Sequence, residues 1–233
     1  MKHIVEAGTD AATLALFDPA AMPEDAANRL QVDPAGLMEE LVLAGRAYRI
    51  DTHADGSYTL HAYVDEPLPE SIAQYVREPV TVENFQVPSG RLYFAGAEYA
   101  APDMEASLSR YKMGEPFDVR PGVYRLTMYK TEYPEGIDED LLREATPGGA
   151  FSLHRSMGCF VWLAIISAVG MAVAIFGEIL KPWRYYLIPL FGAGLVWPFV
   201  VARLKPYRET QERYQAIQRE HPAYVARLEY RGS

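Results

Sequence analysis

Five histidines, one cysteine and 31 acidic residues are this chain's stock of ligands, bases and nucleophiles. A zinc site needs three or four His, Cys or carboxylate ligands converging on one point. The histidines are His3, His53, His61, His154 and His221, and only His53 and His61 are near each other. With Asp55-Gly56 read as a two-residue turn between RAYRIDTH and YTLHAYV, those two project from opposite faces of a hairpin and cannot share a metal. The lone Cys159 excludes a disulfide within the chain. Adjacent carboxylates, as in Glu39/Glu40, Asp65/Glu66 and Asp138/Glu139/Asp140, read as solvated surface, with nothing to isolate one for acid–base work. The HExxH, GxxxxGK[ST], GxGxxG and GxSxG patterns are absent. The expectation is a non-enzymatic chain with no metal and no cofactor. An enzyme whose residues meet only in space stays as the alternative.

Charge is unevenly spread. Residues 1–155 carry 13 Lys+Arg against 26 Asp+Glu, a balance of −13, while residues 156–233 carry 9 against 5, a balance of +4. An acidic domain repels phosphate, so nucleic acid is excluded as its partner. The acidity serves solubility, or it complements a basic protein surface.

What positions everything else is a pair of uncharged apolar stretches, FVWLAIISAVGMAVAIFG at 160–177 and YYLIPLFGAGLVWPFVVA at 185–202. Each approaches the ~20 residues that a helix needs to cross a hydrocarbon core of roughly 30 Å. Helices satisfy their own backbone in lipid, so a two-span hairpin follows. Trp183, Tyr185 and Tyr186 suit an interfacial belt, and the basic cluster Arg203, Lys205, Arg208 and Arg213 after the second stretch places both termini in the cytoplasm. The N-terminus carries no cleavable signal. Ala168/Ala172 and Gly170/Ala174 are small residues four apart that permit close helix packing, either on the second span or on a partner's helix. Pro189 and Pro198 are expected to kink the second span. With no ionisable residue inside either stretch, no ion pathway is expected from this chain alone.

The remainder reads as a strand-rich α+β domain over 1–149, followed by the transmembrane hairpin within 150–203 and a cytosolic amphipathic helical segment over 204–233. Strands are expected at 2–6, 12–17, 80–87, 91–97 and 123–133, besides the 46–64 hairpin. A helix capped by Asp33-Pro34 ends near Gly45, and residues 136–145 form a short acidic helix. Tyr207, Tyr214, Ile217, His221, Tyr224 and Leu228 step by 7, 3, 4, 3 and 4 as a helical stripe, which Pro222 divides into two short helices. On this reading residues 1–150 fold alone. Tyrosines at 48, 58, 63, 93, 124, 129 and 133 are half-buried strand packing, or part of a contact face.

The segments GTDAATLALFDPAAM (8–22), RLYFAGAEYA (91–100) and FDVRPGVYRLTMYKTEY (117–133) resemble a group of strand-rich bacterial domains encoded beside interbacterial toxins, immunity proteins among them. The resemblance implies a protein that neutralises a toxin by binding it. With two spans, the expectation is a bacterial inner-membrane protein whose partners are the lipid bilayer and a pore-forming or membrane-targeted toxin. The rival readings are a membrane-tethered sensor or assembly factor, and a membrane-bound enzyme.

Overall fold

The computed structural model describes residues 1–111, 113–176 and 181–232, and these form two compact units. The first combines Met1–Tyr133 with the C-terminal segment from His221; the second is Pro134–Glu220.

Among the described residues the first unit has nine strands in two sheets. They are β1 (Lys2–Thr9), β2 (Thr13–Phe17), β3 (Ala47–Asp51), β4 (Gly56–Val64), β5 (Val76–Val87), β6 (Arg91–Gly96), β7 (Gly114–Asp118), β8 (Gly122–Thr131) and β9 (Tyr224–Gly232). One sheet has the order β1-β4-β9-β8-β5 and the other β3-β2-β6-β7. Side chains alternate across each strand. Leu60 and Ala62 of β4, Tyr124, Leu126 and Met128 of β8, and Tyr224, Ala226 and Leu228 of β9 therefore meet Leu14 and Leu16 of β2 and Leu92 and Phe94 of β6 in one core. The other face of the second sheet is buried as well. Ala15, Phe17, Tyr93 and Ala95 lie beneath α1 (Ala26–Val32) and α2 (Pro34–Leu43), which explains why β2 reads TLALF, with no polar alternation after its first residue. A four-residue α3 (Glu70–Ala73) places Ile72 against Tyr63 and Val225 on the outer face of the first sheet, and α4 (Glu105–Tyr111) follows β6.

Local chemistry sets the boundaries. Asp33 caps α2 by accepting from Gly36 N–H at 3.0 Å, with Pro34 in the first turn. Gly45 takes φ +69° and lies against the Asn84 carbonyl, so a side chain there would meet strain and backbone together. Pro79 and the positive φ of Glu78 coincide with a register shift in β5, which breaks up that exposed edge strand.

Three expectations are corrected. The 46–64 hairpin does not exist: β3 pairs with β2, β4 pairs with β1 and β9, and Asp55-Gly56 carries the chain from one sheet to the other. The strand domain does not end at 149, and the second of the two short helices expected within 204–233 is a strand. The helix stops at Glu220, and after Pro222 the chain becomes β9, pairing parallel with β4 and antiparallel with β8 in the middle of the sheet. Residues 1–150 therefore lack a central strand.

The second unit is helical: α5 (Ile137–Ala145), α6 (Gly148–Arg155), α7 (Met157–Phe176), α8 (Arg184–Arg203) and α9 (Lys205–Glu220). Gly148 and Gly149, the last residues of the expected strand-rich domain, open the first turn of α6. Both α7 and α8 are 20 residues long and apolar enough to cross a membrane, and only 11% of each apolar window is buried within the protein. A core helix of a soluble protein would be mostly covered.

Candidate functional site

The apolar helices pack antiparallel. Gly170 lies on the Phe191 ring, Ser167 on Gly194, and Phe160 meets Trp197 edge-on at 6.3 Å between ring centroids. A Cβ at Gly170 would come within 2.5 Å of the Phe191 ring. Ala174 and Ser167 are buried in the same seam, at 0% and 3% exposure. Ala168 and Ala172 are exposed. The reason is angular. Successive helical residues turn about 100°, so Ala168 and Gly170 lie about 200° apart. The four small residues are thus two faces: Gly170/Ala174 serves the packing of the pair, and Ala168/Ala172 points away from α8.

One end of the pair is fixed by polar contacts. Arg184 donates from Nε to the Ala174 carbonyl at 3.0 Å and from Nη2 to the Ile175 carbonyl at 2.6 Å, capping the last turn of α7. Trp183, Tyr185 and Tyr186 beside it are 62%, 86% and 73% exposed. Gly177 and Glu178 of the intervening turn lie outside the described residues. Pro189 and Pro198 sit within a continuous α8, so the carbonyls of Tyr185 and Gly194 receive no N–H four residues on.

The basic residues Arg203, Lys205, Arg208 and Arg213 are all exposed. Lys205 pairs with Glu209 at 3.6 Å, and Arg213 Nη1 donates to the Ala145 carbonyl at 2.5 Å, capping α5. The stripe on α9 folds onto α6: His154 stacks on Tyr207 at 5.6 Å, approaches Tyr214 at 5.4 Å and hydrogen-bonds Gln211 at 3.0 Å.

No cluster of three His, Cys, Asp or Glu side chains suited to a metal occurs among the described residues. His53 is exposed, whereas His61 is buried in the sheet. His3 packs on Phe117, and burial, followed by the N-terminal ammonium, lowers its pKa. None of the seven strand tyrosines is exposed, so they are packing first. Tyr124, for example, is fully buried and donates its hydroxyl to the Arg120 carbonyl at 2.6 Å.

Sequence reasoning missed a cleft of about 500 Å³ in the first unit. One wall is α1 and α2, with Leu30, Ala35 and Met38; the opposite side holds Thr13, Ala97 and Met104. Two charged side chains reach it, Arg49 and Glu98. Arg49 donates to one oxygen of Asp51 through Nε and Nη2, at 2.9 and 2.7 Å. Glu98 accepts from the Thr9 hydroxyl at 3.4 Å and from Asp10 N–H at 3.3 Å, drawing in the turn that precedes β2. That turn contains Ala12 at φ +50°, a conformation held by the Ala12 N–H bond to Asp55 at 3.1 Å. No sequence pattern announces the cleft, because its walls come from four separated segments.

No family model matches the chain, and no curated protein matches it. Among solved structures it is similar to a protein described as "Crocagin biosynthetic gene J", with a TM-score of 0.41 and 15% identity, over 60% of this chain and 82% of that one. A likeness at that TM-score carries no argument about fold or function.

Proposed function

We propose that this chain is a two-span bacterial inner-membrane protein, with both termini in the cytoplasm, that acts by binding a protein, and specifically that it confers immunity to a toxin working at or in that membrane. The observation that carries the membrane part is the bare apolar surface of the helix pair. Trp162, Ile166, Val169 and Phe199 are each more than 60% exposed. So large an apolar surface in water is a liability that lipid removes. The aromatic residues at one end and the basic residues at the other supply the anchors and the orientation. The toxin-directed part rests on the resemblance of the strand segments to domains encoded beside interbacterial toxins. Binding without catalysis rests on the absence of the HExxH, GxxxxGK[ST], GxGxxG and GxSxG patterns from the sequence.

The test has two arms. Alkaline carbonate extraction of cells expressing the chain should leave it in the membrane pellet, and reporters active only in the periplasm should respond near Trp183 but not at the C-terminus. Survival of cells challenged with the neighbouring gene's toxin should depend on this chain. A carbonate-soluble protein would overturn the membrane assignment. Unchanged killing at normal abundance would overturn immunity.

A further inference from the structure

The cleft under α1 and α2 has a chemistry that the helix pair lacks. Its volume, about 500 Å³, lies within the roughly 300–1,000 Å³ of sites that enclose a specific ligand. The walls are largely apolar, and they include Met38 and Met104, side chains flexible enough to fit a range of apolar surfaces. Electrostatics then narrow the occupant. Arg49 is neutralised by Asp51. Asp10, Asp33 and Glu98, at or next to the lining, form no ion pair among the described residues. The local field is negative in a second respect. Burial first, then Glu98 and Asp10, raise the pKa of the neighbouring Tyr99 hydroxyl. A cation is welcome there and an anion is not.

We propose that this cleft binds a cationic amphipathic helix of the protein partner, with apolar side chains seated against Leu30, Met38 and Met104 and Lys or Arg directed to Asp10, Asp33 and Glu98. An amphipathic helix presents anchors at i, i+3 or i+4, and i+7, which suits a groove bounded by two helices and a sheet. The proposal deepens the protein-binding reading and rests on it; it does not depend on the spans.

The probe is a fluorescein-labelled model helix of Leu and Lys in that spacing, compared with a Leu/Glu helix of the same pattern. The full chain is held in phosphatidylcholine nanodiscs, with empty discs as the blank, and binding is read by anisotropy. The Leu/Lys helix should bind above the blank, more weakly as salt rises, and the Leu/Glu helix should not. Ala35→Trp fills the cleft from an exposed helix position and should raise the Kd at least about tenfold, a loss of roughly 1.4 kcal/mol. Ala27→Trp approaches from α1 and should do the same, guarding against one misfolded variant. Glu98→Gln should raise the Kd about threefold, whereas Glu83→Gln on β5 should leave it unchanged. Binding no stronger than to empty discs, equal binding of the Leu/Glu helix, or indifference to both tryptophans would overturn the proposal. The toxin-survival assay separates the two readings. Protection that persists in Ala35→Trp keeps immunity and rejects the cleft, whereas peptide binding without protection keeps the cleft and rejects immunity.

Discussion

Excising the helical unit is the sharpest way to test the architecture. Lys130 of β8 pairs with Tyr224 of β9, Thr131 N–H donates to the Ala223 carbonyl at 3.2 Å, and the rings of Tyr133 and His221 lie 4.8 Å apart. Carried two residues further, this register sets Tyr133 opposite His221. An Asn-Gly pair joining them in place of residues 134–220 forms a two-residue type I′ hairpin with no slip. The joined chain should be soluble and unfold in one cooperative transition. The chain cut after residue 150 should not fold. It loses the buried side chains Tyr224, Val225, Ala226 and Leu228. At about 1.5–3 kcal/mol for each large residue and ~0.8 for the alanine methyl, that is on the order of 5–10 kcal/mol. A domain's whole stability is about 5–15 kcal/mol. The cut also leaves β4 and β8 with unpaired edges in mid-sheet, which invites aggregation. Urea unfolding followed by circular dichroism, with size-exclusion chromatography, reads both chains. A cooperative, monomeric 1–150 would refute the reasoning, because the sheet would then close without its middle strand.

Three further outcomes are expected. Gly170→Leu drives a side chain into the Phe191 ring and should cost about 1–3 kcal/mol, seen as lowered membrane abundance, whereas Ala168→Leu on the exposed face should leave abundance unchanged. Burial first, and the Glu105 carboxylate second, push the Tyr93 phenol up to about 12. Its folded state therefore favours the protonated form; that stability is complete below the unfolded value near 10 and is lost as pH rises from there to 12, about 2–3 kcal/mol in all. Tyr93→Phe removes that titration and should shift alkaline unfolding, read by circular dichroism, to higher pH. Deleting residues 184–203, and so one apolar helix, should abolish folding of the first unit in membranes, measured by protease sensitivity of the strand domain; a protease-resistant domain would count against insertion of α7.

How legible this protein was depends on the range of each signal. The apolar helices, the Asp33-Pro34 cap and the Gly45 stop are local, and each was readable from adjacent residues. Pairing is not local. Asp55-Gly56 looks like a hairpin turn, yet β3 and β4 find their partners in different sheets. The error at the C-terminus has a numerical cause. Tyr224 and Leu228 are four apart, a spacing that fits one face of a helix and also two periods of a strand. The intervening Ala226 faces the same core, and the strand wins because a slot between β4 and β8 buries all three. Tyr207, Tyr214 and Ile217, which have no such slot, stay helical. The cleft was invisible for a related reason: Thr13, Met38, Glu98 and Met104 converge only after the second sheet forms.

The same strand pairing constrains the membrane reading more tightly than hydropathy does. Residues 134–220 leave β8 and return to β9, and these are hydrogen-bonded neighbours about 4.8 Å apart. A segment that starts and ends at one place in one sheet must finish on the side of the bilayer where it began. It can therefore cross an even number of times, and one crossing would strand β9 on the far side from β4 and β8. Either both apolar helices insert or neither does. Two inserted helices of 20 residues satisfy that parity with nothing to spare, and the antiparallel packing of Gly170 on Phe191 returns the chain to its starting side. If both insert, the positive flank around Arg203 would select one side for the strand domain as well, because β9 follows α9 within a few residues.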